Sequence, residues 1–320
     1  MKYRLVTLIA FVIAVTAIAV TTRQLNLPHP TPVVEAKLPP KSLSYLGVFE
    51  PGAPPGYQPV AKFADMAGRK PNLVGYYSGW AEPFNKPFSD LVRKHGGIPF
   101  VQIDPRFAKL PAIASGVYDD YLRSYAISVR NFGHPVVIGF GHEMNASWYP
   151  WGYKHVPATT FVAAWRHIVS VFNSEGAKNV TWLWTINQDL PGSGPVASWW
   201  PGARYVTWVG IDGYYFKSSD TFDRVFGTTI QQVRKFTSKP ILLSETAVGP
   251  GTRNQFAMIG NLFSGMQKYR TLGLVWFDKD QANFPKDDND AFRHQDWRIE
   301  GNAAAQSAFS SWVGQTLTHY

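Results

Sequence analysis

The chain has 320 residues, enough for one large α/β barrel or for two ordinary domains, and its apolar and charged fractions are those of a globular protein. A net charge of +9 raises nucleic acid as a partner, but Lys and Arg are scattered without a basic run or recognition motif, so no nucleic-acid partner is expected and the charge reads as general solvation. The absence of cysteine excludes disulfides, Cys-based zinc sites and thiol catalysis, and 12 Trp point to a large aromatic core or to a surface for flat, partly apolar ligands such as sugar rings.

In chain order, Lys2 and Arg4 precede an unbroken run of apolar residues and Thr over 5–20, with a small-x-small site at 17–19. This is the layout of an export signal, so residues 1–22 are expected to be a signal peptide or a membrane anchor. The run is shorter than the roughly 20 residues that span a bilayer comfortably. The protein is accordingly expected outside the cell or tethered to the outer face of the cytoplasmic membrane. Residues 23–42 are dense in Pro, which favours extended chain, and read as a linker. One domain, 43–320, follows.

Within it, continuous apolar runs at 44–49, 72–77, 98–103, 135–140, 180–185, 205–211, 240–243 and 272–277 are candidate strands. Runs that do not alternate belong to strands covered on both faces, as in parallel sheets. Helical spacing is found at 88–95, 118–131, 222–236, 253–269 and 303–317, and also in Phe161, Trp165, Ile168 and Phe172 after Pro157. The stretch between the fifth and sixth strands has room only for a helical turn. Eight strands with mostly helical connections predict an α/β fold, a (β/α)8 TIM barrel in a single domain. The alternative is an open doubly wound sheet, but 47–52 (GVFEPG) does not fit the glycine fingerprint that follows its first strand.

Active sites of such barrels lie at the C-terminal ends of the strands. The residues there are Glu50; Ser78 and Trp80; Asp104 and Arg106; His142 and Glu143; Asn187; Asp212 and Tyr214; Glu245; and Trp276 with Asp278. Glu143 and Glu245 stand out, each following an apolar run and each placed across the barrel mouth from the other. Cleavage of a glycosidic bond needs such a pair, one carboxyl protonated and one ionised. A strand-end Glu also serves as a cap or an ion-pair partner, so neither alone identifies the chemistry. A zinc protease would need a second His where Ala146 stands, a nucleotide loop would need Gly where Met144 stands, and the acidic stretches 278–280 and 287–290 lack the Gly and final Glu of a calcium loop. No metal or organic cofactor is implied. Trp148, Tyr149 and Trp151 follow Glu143 closely, and Trp80, Trp199 and Trp200 lie in loops at strand ends, whereas Trp165, Trp182 and Trp208 read as core.

The segment 141–152 (GHEMNASWYPWG) resembles the acid/base motif of glycoside hydrolase family 26, and the domain from about Ser44 onward fits that family's eight strand–helix units. The resemblance implies a retaining endo-β-glycanase with Glu143 as acid/base and Glu245 as nucleophile. It also implies that His142 helps to hold the nucleophile, that Trp148 lines the cleft, that Tyr214 hydrogen-bonds the nucleophile and that Trp276 floors the reacting sugar. Trp80 and Asn187 complete the expected substrate contacts. Ala146 stands where many members have Gly, and the ends of the second and third strands look more like the glucanase-like branch than like mannanases. The substrate expected is a polysaccharide, β-1,4-mannan first and mixed-linkage β-glucan as the alternative, acted on by a monomer. A barrel that binds carbohydrate without cleaving it, or one that transfers the glycosyl group to another sugar, is the competing expectation.

Overall fold

An unbroken apolar run buries both faces of its strand, and eight of them close here into one parallel barrel. The computed structural model describes residues 38–252, 254–281 and 295–318. The strands are β1 (Tyr45–Phe49), β2 (Leu73–Gly79), β3 (Ile98–Asp104), β4 (Val136–Phe140), β5 (Val180–Asn187), β6 (Trp208–Tyr215), β7 (Ile241–Val248) and β8 (Gly273–Phe277), in that order around the barrel. β8 pairs with β1 in parallel, Val48 opposite Trp276 and Phe49 opposite Phe277, which completes the ring. The barrel expectation holds, and the open sheet is excluded.

The helices are α1 (Gln58–Ala67), α2 (Lys86–Lys94), α3 (Leu110–Ala114), α4 (Asp119–Phe132), α5 (Ala158–Ser174), α6 (Thr228–Arg234), α7 (Gln255–Tyr269) and α8 (Ala303–Thr316). Two short 3-10 turns, Val196–Trp199 and Ala203–Tyr205, stand between β5 and β6, where only a helical turn was expected. Sequence spacing missed α1, whose buried Val60, Phe63 and Ala67 are interleaved with Lys62 and Asp65, and the five-residue α3. The stretch read as one helix over 222–236 divides into a π-helical turn, Asp223–Gly227, and α6. α7 begins at Gln255 because the side chain of Asn254 accepts from the Ala257 N–H and caps it.

Two strands run further than their apolar runs. β6 starts at Trp208, after the 3-10 turn, and continues through Asp212 to Tyr215. β7 continues through Ser244, Glu245 and Thr246, and its register shifts against both neighbours beside Glu245. Such an irregularity re-aims a side chain.

The barrel interior is layered. At the bottom, Leu38, Tyr45, Leu73, Phe100, Val137, Leu183, Trp208 and Leu242 form an apolar cluster, with Tyr45 and Trp208 packed edge to face at 4.9 Å. Leu38 falls within the expected linker, yet it is buried in this cluster, and the Tyr45 hydroxyl donates to the Pro39 carbonyl at 2.8 Å. Residues 23–37 of that linker and the expected leader lie outside the described residues. Above the apolar floor Gln102 Nε2 donates to Thr185 Oγ1 at 3.0 Å and Ser244 Oγ donates to Asp212 Oδ1 at 2.5 Å. Gly139 makes room for this layer, since a Cβ there would stand 1.9 Å from Gln102 Oε1. The top layer is the candidate site.

Candidate active site

β4 ends at Phe140, and the chain then turns sharply through Gly141 to Glu143. Glu143 has φ 54°, a conformation uncommon for a residue with a side chain, and strain of this kind persists only where the surroundings over-determine it. Here they do. The Glu143 N–H donates to the Thr185 carbonyl at 3.0 Å, and the Ala146 N–H donates to the Glu143 carbonyl at 2.9 Å. The loop folds back on itself: the Tyr153 N–H donates to the Met144 carbonyl at 2.8 Å, and a Cβ at Gly152 would meet the Ala146 carbonyl at 2.6 Å. The long motif around Glu143 is therefore a folded unit in which Gly152 has a steric reason.

The Glu143 carboxyl, 7% exposed, accepts from Asn187 Nδ2 at 2.5 Å on one oxygen and from Trp148 Nε1 at 2.8 Å on the other. Asn145 fixes Asn187 in turn: its Nδ2 donates to the Asn187 carbonyl at 2.9 Å and its Oδ1 accepts from the Asn187 N–H at 2.8 Å. Asn187 thus reaches the site through Glu143. Trp148 holds the same carboxyl while leaving 49% of its own surface exposed, as a wall open to a ligand.

Glu245 is held from two sides. The hydroxyls of Tyr77, from β2, and Tyr214, from β6, each donate to one of its oxygens. Tyr214 was expected from the sequence and Tyr77 was not. The only signal for Tyr77 is its place near the end of an apolar strand, and the nearby Trp80 packs against Tyr118, Tyr121 and Phe140 at 5.4, 5.0 and 6.0 Å.

Two expectations need correction. Trp276 does not floor the site. It is 1% exposed, packs edge to face on Phe309 of α8 at 4.8 Å, and donates its indole N–H to the Trp297 carbonyl at 3.1 Å. Successive side chains of a strand point to opposite faces, so the next residue, Phe277, turns inward. Phe277 stacks on Phe49 at 5.1 Å and meets Tyr214 at 5.9 Å. His142 makes no hydrogen bond to Glu245. Its Nδ1 lies 3.0 Å from Asp104 Oδ1 at the end of β3, and its Nε2 lies 3.1 Å from the Tyr149 hydroxyl.

The electrostatics follow from four carboxyl groups and one imidazole under little water. Burial raises the Glu245 carboxyl, Glu143's charge raises it further, and Tyr214, Tyr77 and His142 oppose; the balance is about 6. Asp212, which pairs with Glu245 across β6 and β7, is pushed well above the carboxylate range by burial and then by Glu245 and Glu143. Burial, reinforced by Glu245, keeps the Tyr77 and Tyr214 hydroxyls protonated and therefore donors. For His142, burial disfavours the charged ring, but Asp104, Glu143 and Asp212 together outweigh it and the ring is raised to about 10. Among the described residues no group of three or more His, Cys, Asp or Glu side chains is placed to hold a metal ion.

The family model for glycosyl hydrolase family 26 matches residues 110–251, the span that holds Glu143, Asn187, Tyr214 and Glu245. Endoglucanase H of Acetivibrio thermocellus is 28% identical over 82% of this chain and 30% of its own length. A mannan endo-1,4-beta-mannosidase of Bacillus subtilis is 24% identical over 80% of this chain and 78% of its own. The chain spans about a third of the length of the first curated relatives it matches. In fold it is similar to a Cellulomonas fimi endo-beta-1,4-mannanase, with a TM-score of 0.66 at 17% identity over 87% of this chain and 72% of the other.

Proposed function

The chain belongs to glycosyl hydrolase family 26, and from that premise we propose that it is a retaining endo-β-glycanase with Glu143 as acid/base and Glu245 as nucleophile. The observation that carries this reading is the unequal support of the two carboxyls. Glu245 hangs between two phenolic donors with a charged imidazole nearby, and all three favour its ionised form. Part of its raised pKa comes from the charge on Glu143. The proposed first step places the proton on Glu143 and the charge on Glu245.

That state is the reactive one. Glu143 gives its proton to the glycosidic oxygen as Glu245 attacks the anomeric carbon, the leaving sugar departs, and a covalent glycosyl-enzyme remains. Glu143, now ionised, takes a proton from water as its oxygen attacks the same carbon, which restores Glu245 and releases the product. Trp148 and Phe277 present aromatic faces to the sugars.

The backbone proposed first is β-1,4-mannan, named in two of the curated relatives. β-Glucan is the second reading, favoured by the match to Endoglucanase H over 82% of this chain. Export through the N-terminal segment is proposed with it, because both polymers are extracellular in bulk. Reducing-end release from galactomannan, glucomannan, lichenan and β-1,3-xylan tests the whole reading. Hydrolysis of one backbone, lost in Glu143→Ala and Glu245→Ala, is expected. Binding without release, or near-normal release by both variants, would overturn it in favour of a carbohydrate-binding barrel.

A further inference from the structure

We propose that Asp104 is a positioning residue of this site, which acts by holding His142 as a permanent buried imidazolium whose positive charge keeps Glu245 ionised. The inference deepens the proposed activity and rests on it. A lone imidazole in so enclosed a place gives up its proton, because burial costs the cation its hydration. His142 is enclosed: Tyr77, Tyr149 and Trp151 rings surround it at 5.2, 4.8 and 5.9 Å, and Trp151 Nε1 donates to its backbone carbonyl at 2.9 Å. Its Nδ1 meets Asp104 at 3.0 Å, with only 15% of the Asp104 side chain exposed. A charge pair this poorly screened is strong. With both ring nitrogens protonated, Nε2–H donates to Tyr149 Oη at 3.1 Å, which fixes the ring plane.

The groups facing the ring explain the need. Asp104 comes from β3, Glu143 and Tyr149 from the turn after β4, Tyr77 from β2, Asp212 from β6 and Glu245 from β7. Four of these are carboxyls. Among the groups acting on Glu245, His142 is the cation that lowers its pKa, and it lowers that of Asp212 as well. Asp104 is therefore the residue that decides whether this cation exists. Asp104 makes no hydrogen bond to Glu245, so its effect on that carboxyl is transmitted through His142.

Two measurements on the full chain separate this role from a merely structural one. In the native protein, labelled-histidine NMR, with the His142 signal assigned by its loss in His142→Gln, is expected to show the ring still protonated at pH 8. Titration near the ordinary 6.5 would overturn the proposal whether or not any glycan is cleaved, so it fails separately from the enzymatic reading. In Asp104→Asn the ring is expected to titrate below pH 7, and the acid limb of the kcat profile to move up by about one pH unit. Asp104→Glu should restore most of both. A uniform loss of kcat at every pH, with the acid limb unmoved and His142 still charged, would also overturn it.

Discussion

The charge that the proposed mechanism requires on Glu245 comes at the expense of the fold, and Glu245→Gln should reveal the cost. The native structure holds this carboxyl at about 6 rather than at its ordinary 4.5. A folded-state pKa above the unfolded one means that the native state prefers the protonated form. The stabilising contribution is complete below about pH 4.5 and is lost as pH rises through 6. At roughly 1.4 kcal/mol per tenfold change, the ionised carboxylate costs the native state about 2 kcal/mol at pH 8. Glutamine copies the neutral acid in size and still accepts from one tyrosine hydroxyl. The variant should match the wild type in urea denaturation at pH 4 and exceed it by about 1–2 kcal/mol at pH 8, while hydrolysis falls at least about a thousandfold. A variant that is less stable at pH 8, or whose gain is equal at both pH values, would refute the reasoning that burial and Glu143 strain this group.

Tyr77→Phe and Tyr214→Phe each remove one donor from an ionised carboxylate, a bond worth about 1.5–3 kcal/mol. Each should lower kcat by about 10- to 100-fold and move the acid limb of the pH profile upward; an unmoved limb would deny them this role. Trp276→Phe should cost about 1–3 kcal/mol in denaturation with kcat/KM retained, whereas Phe277→Ala should lower kcat/KM. Glu50 and Asp278, at the ends of β1 and β8, face a cavity of about 860 Å3 beside α1 and lie within hydrogen-bonding reach of each other. Burial, and then Asp278 at its side, raise Glu50 to about 9, and burial raises Asp278 to about 6. Both shifts favour the protonated pair, so this stability is present at low pH and fades as pH rises through 6 to 9. Glu50→Gln should therefore leave melting at pH 4 unchanged and raise it above pH 9.

The barrel was legible because strands buried on both faces leave unbroken apolar runs. Glu143 was legible because its loop packs so closely that residues 141–152 form a long signature. Where legibility failed, the cause is parity or distance. Trp276 and Phe277 are adjacent aromatics on one strand, and only the register with Phe49 decides which of them faces inward. Glu245 lies within β7 rather than after it, since Ser244 and Thr246 interrupt the apolar run although both are buried. Tyr77 and Asp104 lie 168 and 38 positions from the residues they serve, and no local pattern couples partners that only the closed barrel brings together. His142 was read beside the right residue, but its contacts with Asp104 and Tyr149 were not legible for the same reason.

The most direct measurement is peptide mapping by mass spectrometry after reaction with an activated 2-deoxy-2-fluoro oligosaccharide of whichever backbone the enzyme hydrolyses. Such a substrate slows release of the covalent intermediate and leaves the sugar on the attacking residue. One glycosyl unit attached to Glu245, and absent from Glu245→Gln, is the expected result. A label on any other side chain, or steady turnover by Glu245→Gln, would contradict the assignment of this carboxylate as the nucleophile.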